Sequence, residues 1–234
     1  MFVSKEARII FVHIWKTGGT SIAAALKANF GPANDVREFG GATRYLPWRR
    51  MRNRHVRLGK HAFAIDIRDR LGGDFNSYYS FAFVRNPWDW LVSWYNFVRN
   101  TTISPDTGLS WRHHLNLIVG PMDFDQFVRW VTLEDGLLNA EARQQSSFAG
   151  RSPVLQRDWV SDLQGNLLVD FVGKFEALET DFSRVAASIG RPELQLQHLN
   201  PGKRGSYRDY YSPAAKAAVA RYFEPDLDTF GYSF

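Results

Sequence analysis

The sequence predicts an α/β fold in which helices flank a central, mainly parallel sheet. Two stretches carry that reading. The apolar run Ile9-Ile10-Phe11-Val12-His13-Ile14 breaks at a turn containing Lys16, Gly18 and Gly19, then resumes as the helix-periodic Ile22-Ala23-Ala24-Ala25-Leu26-Lys27. A second β-rich run, Tyr78 to Val84, passes through Arg85-Asn86-Pro87 into Trp88 to Arg99, where apolar residues recur at helical intervals. Strands alternating with helices are the signature of a parallel sheet.

The composition fits one folded unit. At 234 residues, 44% hydrophobic and 23% charged, the chain can bury a sizeable core, and a single domain spanning 1–234 is expected. There is no cysteine, which excludes disulfides, thiolate metal sites and cysteine nucleophiles. The six histidines show no metal-ligand spacing, so no metal is expected. No apolar run is long enough to cross a membrane and the first residues lack a signal-like core, so the expected setting is cytoplasmic, without a transmembrane segment. The net charge of +5 tolerates anionic partners without naming one. Between Arg44 and Lys60 there are seven Lys or Arg and no acid, readable either as a polyanion-binding strip or as a solvated basic segment.

Taken in order, the first strand–turn–helix unit carries the chemistry. A turn feeding a helix N-terminus aims unpaired N–H groups and a positive dipole end at one spot, which suits a phosphate or sulfate. Gly18 and Gly19 let the backbone approach the anion, Lys16 adds a point charge, and Thr17, Thr20 and Ser21 add hydroxyl donors. A nucleoside-triphosphate loop places its glycines before the lysine; here the lysine comes first, so that motif is absent.

His61 to Leu71 reads as a helix stopped at Gly72-Gly73, with His61 at its start. In the second unit Arg85 ends a strand and Ser93 lies in the following helix. Ligands of open parallel sheets collect outside the carboxyl ends of strands, so Lys16 and Arg85 are expected to face one crevice. Trp88 and Trp90 serve either as a sugar-stacking surface or as core, and His113 and His114 read as surface residues or substrate contacts. Asp123 to Val131 and Leu137 to Phe148 read as helices. Leu155 to Phe175 reads as a hairpin around Gln164-Gly165-Asn166, with Val169 to Gly173 as its buried strand. A helix from Glu179 to Gly190 follows, then the cationic loop His198 to Tyr207 and a last helix from Pro213 to Phe223.

Several of these stretches resemble one family. FVHIWKTGGTSI (11–22), GKHAFAIDI (59–67), FAFVRNPWDWLVSWYNF (81–97), VDFVGKFEALETDF (169–182) and HLNPGKRGSYRDYYSP (198–213) occur in the order found in sulfotransferases that use 3′-phosphoadenosine 5′-phosphosulfate (PAPS). The resemblance is to the branch containing heparan-sulfate 6-O-sulfotransferases and bacterial carbohydrate sulfotransferases. It implies a P-loop-NTPase-like three-layer fold and in-line sulfuryl transfer from PAPS to a hydroxyl acceptor, leaving 3′,5′-adenosine bisphosphate. The implied acceptor is a saccharide or glycolipid, not a nucleic acid. Lys16, Thr17, Gly18, Gly19, Thr20 and Ser21 resemble the loop that holds the 5′-phosphosulfate, with Lys16 on the departing phosphate. Arg85 and Ser93 resemble the pair on the 3′-phosphate, and Lys203, Arg204, Gly205 and Ser206 the late loop over the nucleotide. His61 resembles the general base; His13 is its competitor, read as a structural residue inside the strand. The chain departs from the branch at Trp15 and Trp90, positions that bear on acceptor recognition. The other readings are a nucleotide- or polyanion-binding module without turnover, and a P-loop-like phosphotransferase.

Overall fold

The computed structural model describes residues 1–32, 61–100, 111–133, 155–196 and 205–234. The basic strip, the 137–148 helix and most of the late cationic loop, including Lys203 and Arg204, lie outside the described residues. The chain forms two compact units, one built mainly from Met1–Val84 and Gln156–Pro201, the other mainly from Arg85–Gln144 and Gly202–Phe234.

The first unit holds a four-stranded sheet, β1 (Phe2–Ser4), β2 (Ile9–Val12), β3 (Tyr79–Val84) and β4 (Phe171–Lys174), in that spatial order. The last three run parallel, in register Phe11↔Phe81 and Phe81↔Phe171, as the strand–helix alternation predicts. β1 is an antiparallel edge strand that sequence reading missed, three residues long and paired Phe2↔Phe11. β2 and most of β3 are buried on both faces, which explains their near-continuous apolar sequence.

The two-residue period of the strands puts Ile9, Phe11, Phe81 and Phe83 on one face. There they meet Ile22 and Leu26 of α1 (Gly19–Phe30) and Phe182, Val185 and Ala186 of a later helix, Leu178–Ser188. Gly173 in β4 is required by this packing, because a Cβ there would lie 2.5 Å from the Phe83 ring. Ser80 donates its amide and its hydroxyl to Asp170 Oδ2, both at 2.7 Å, fixing the entry of β4 beside β3.

Two expectations are corrected here. The Leu155 to Phe175 hairpin is reduced to one bridge, Ser161↔Leu167, because Gln156–Val160 is a short helix and the following strand turns away to pair with β3. β4 is also a half-exposed edge strand and not the buried one; that role falls to β2. In chain order the helices between are α2 (Ala64–Leu71), α3 (Pro87–Arg99), α4 (Trp111–Val119), α5 (Phe124–Leu133) and α6 (Gln156–Val160), and α7 is Leu178–Ser188.

The second unit is helical with an aromatic core. α3 starts as read: Asn86 caps it by accepting from the Trp88 amide at 3.1 Å, and Pro87 occupies the first turn. Trp88 and Trp90 are 3% and 4% exposed, which excludes the sugar-stacking reading. Trp88 donates its indole N–H to the Lys216 carbonyl, and Trp90 packs edge-on against Trp94 and Phe223. Burying each such ring contributes about 1.5–3 kcal/mol, so the helical spacing of these tryptophans reports packing. α5 opens with a reciprocal capping box, Gln126 N–H to Asp123 Oδ1 and Asp123 N–H to Gln126 Oε1. α8 (Pro213–Tyr222), capped by Ser212, leads directly into α9 (Glu224–Phe230). His113 and His114 fall within α4. Among the described residues no helix is long and apolar enough to cross a membrane.

Candidate active site

The parallel strand β2 ends at Val12, and the next six residues form a tight turn into α1. Thr17 closes it: its hydroxyl donates to the Ile14 carbonyl at 3.0 Å, fully buried. The hydroxyl expected to meet an anion is thus committed to the turn. Lys16 sits at φ +60, a left-handed conformation costly for a residue with a Cβ. Gly18 follows at φ +82 as the helix N-cap.

α1 begins without a side-chain cap and without an acid in its first turn. The amides of Ser21 and Ile22 fold back to the Gly18 carbonyl, at 3.1 and 3.4 Å. α3, α5 and α8 carry their own caps. Thr20 is exposed at the start of α1, and Lys16, Gly18 and Ser21 are half-buried around it. The turn therefore brings a lysine and the positive end of a helix dipole to one place, an arrangement that favours a bound phosphate or sulfate.

Both glycines are held by close neighbours. A Cβ on Gly18 would lie 2.9 Å from Leu178 Cδ2 of α7; one on Gly19 would lie 2.1 Å from Cδ2 and Nε2 of the His13 ring. His13 is the residue sequence reading undervalued. It follows β2, not within it, and is 4% exposed, stacked on Phe11 with centroids 5.4 Å apart. No spacing rule signals its contact with Gly19, because the turn itself creates that contact.

His61 stands three residues ahead of α2, so it belongs to the preceding turn and does not start the helix. Its Nδ1 lies 2.8 Å from the His13 carbonyl oxygen. A carbonyl only accepts, so Nδ1 carries the proton in this contact. The Trp159 indole N–H donates to the His61 carbonyl at 3.2 Å, and the His61 ring lies edge-on to His13 and Trp15, at 4.6 and 5.1 Å. The first unit thus brings Lys16 to Ser21 and His61 together through His13.

Arg85, Ser93, Gly205 and Ser206 belong to the second unit. Arg85 is 6% exposed and its Nε donates to Asp89 Oδ2 at 2.6 Å, one helical turn on. Ser93 is half-buried in α3. Gly205 and Ser206 are exposed, and the Ser206 hydroxyl accepts from the Arg208 amide at the head of the 3₁₀ turn Tyr207–Tyr210.

The model of the sulfotransferase family matches residues 1–233. An uncharacterized protein of Archaeoglobus fulgidus is 28% identical over 145 residues, which cover 61% of this chain and 93% of that protein. No solved structure matches the chain.

Proposed function

Because this chain belongs to the sulfotransferase family, we propose that it moves the sulfuryl group of PAPS to a hydroxyl of a carbohydrate acceptor, with His61 as general base. The proposal extends to the 6-O-sulfotransferase-like branch, whose motif order the chain resembles, and to residues 1–234 acting as one catalytic domain. The observation that carries this is the turn joining β2 to α1. It presents Lys16 and a helix start without a side-chain cap beside His61, whose ring is oriented by the contact of its Nδ1 with the His13 carbonyl.

In this reading the Lys16 to Ser21 loop holds the 5′-phosphosulfate of the donor, Arg85 and Ser93 bear its 3′-phosphate, and Lys203, Arg204, Gly205 and Ser206 cover the nucleotide. His61 Nε2 takes the proton of the acceptor hydroxyl as that oxygen bonds to sulfur. The bond between sulfur and the 5′-phosphate oxygen breaks in line, its electron pair leaving on the phosphate, where Lys16 offsets the growing charge. Positioning and charge neutralisation supply most of such a rate enhancement, and a well-placed base adds about 10²–10⁴.

Titration calorimetry with 3′,5′-adenosine bisphosphate and with ATP tests the donor assignment. Tighter binding of the bisphosphate is expected, and a preference for ATP would overturn it. For the base, His61→Ala should abolish turnover while the bisphosphate dissociation constant stays within about twofold, since the ring touches the acceptor and not the nucleotide.

A further inference from the structure

Within the second unit, segments far apart in the chain meet at Ser233 and Phe234. The Ser233 carbonyl accepts from Asn86 Nδ2 at 2.8 Å, while Oδ1 of the same side chain caps α3 by accepting the Trp88 amide. Both ends of the Asn86 amide are thereby engaged, one residue after Arg85. The half-buried Phe234 ring stands edge-on to Trp88, Tyr207 and Tyr211, with centroids 5.4, 5.7 and 5.7 Å away. Two cations complete the enclosure. Lys216 Nζ lies 4.1 Å from the ring centroid and the Arg208 guanidinium carbon 5.5 Å, the latter also 4.8 Å from the Tyr207 centroid.

Tyr207 and Arg208 follow directly on Gly205 and Ser206, and the Arg208 amide donates to the Ser206 hydroxyl at 3.3 Å. One dipeptide thus ties the segment after Ser206 to the start of α3. Edge-on aromatic pairs and cation–π contacts are directional, so the ring fixes an orientation as well as filling space. We propose that Phe234 is a positioning residue for the donor nucleotide: it sets Gly205 and Ser206 in fixed relation to Arg85, so that their contacts with the nucleotide and its 3′-phosphate are arranged before the donor binds. This rests on the reading of those residues as donor contacts, and adds to it a residue that acts only through them. The gain is preorganisation, since a segment already ordered loses less freedom on binding. The far end of the 3₁₀ turn has its own ties to α3: Tyr210 accepts from Asn96 Nδ2 at 3.2 Å, and the Tyr211 hydroxyl donates to the Trp88 carbonyl at 2.9 Å. Loss of the Phe234 ring therefore loosens the near end, beside Ser206, and leaves those ties in place.

The test uses the full-length chain as wild type, Phe234→Ala, Phe234→Leu and Phe234→Tyr. Each is titrated by calorimetry with 3′,5′-adenosine bisphosphate and with adenosine 5′-phosphate, which lacks the 3′-phosphate. Wild type should prefer the bisphosphate. Only the bisphosphate spans both Arg85 and the late loop, so only it depends on their fixed relation. Phe234→Ala should weaken bisphosphate binding about tenfold and adenosine 5′-phosphate binding less than about threefold, a loss of the size expected when one or two side chains must be ordered on binding. Phe234→Leu fills the space without a π face and should lose the same preference; it also answers the question if the alanine variant does not fold. Phe234→Tyr restores the ring and should stay within about twofold of wild type for both nucleotides. Unchanged bisphosphate affinity in the alanine and leucine variants would overturn the proposal. Equal losses for the two nucleotides would overturn it as well, by reducing Phe234 to a merely structural part, as would a tyrosine variant that behaves like alanine. A wild type that binds the two nucleotides alike, or neither of them, would instead refute the donor reading, which keeps the two failures apart.

Discussion

Replacing Gly19 by alanine tests the interlock between the turn and His13. Gly19 lies in the helical region with no positive φ, so the substitution introduces no backbone strain and the effect is purely steric. The new methyl would sit 2.1 Å from two atoms of the His13 ring, more than 1 Å inside ordinary contact. The ring cannot swing aside cheaply, because it is 4% exposed, stacked on Phe11 and edge-on to His61. Overpacking of this kind costs about 1–3 kcal/mol, and the tight contact argues for the upper end. Alanine recovers up to about 1 kcal/mol of helix propensity, leaving a net loss of about 2. For a chain of this length that is a fall in Tm of about 4–8 °C, readable by calorimetry. Turnover should fall further than stability requires, because displacing His13 moves the carbonyl that holds His61. The decisive measurement is a double-mutant cycle with His13→Ala, where a ring-free neighbour should make Gly19→Ala cheaper by about 1–3 kcal/mol. Equal cost in both backgrounds would refute the reasoning.

Other predictions follow the same contacts. Thr17→Val keeps the shape of the side chain but strands the buried Ile14 carbonyl, so urea denaturation should show a loss of about 1–3 kcal/mol; no change in midpoint would mean the turn is held otherwise. Gly173→Ala forces a methyl onto the Phe83 ring and should lower stability by about 1–3 kcal/mol, to be checked in the same assay. Arg85→Lys keeps the charge but loses the planar fork beside Asp89. It should weaken binding of 3′,5′-adenosine bisphosphate in calorimetry, and unchanged affinity would remove Arg85 from the nucleotide site.

The parts of the fold that were legible are those in which strand and helix periodicities switch across a punctuated turn. β2 with α1 and β3 with α3 could be read because Gly18, Gly19 and Pro87 mark the switch and the strands are largely apolar. β1 could not, being three residues with no turn signal of their own. The 155–175 stretch failed because a short apolar run does not distinguish a helix turn from a strand, and the partner of β4 lies far away in sequence. At the candidate site the cationic turn and His61 were visible as residue types. What holds them was not: Leu178 against Gly18, His13 against Gly19, and the Trp15 and Trp159 rings around His61 are contacts made by folding. Trp88 and Trp90 show the converse, since exposure cannot be inferred from residue type when a helix buries most of its circumference.

The floor beneath Gly18 comes from α7, far along the chain. During synthesis the turn after β2 emerges early, yet Leu178 and the whole of β4 reach the ribosome exit only much later. Gly18 must therefore wait for its support until long-range closure brings α7 home, and such closure is slow. Any amino-terminal fragment that stops short of α7 would contain every residue of the cationic turn and still lack the side chain that backs Gly18.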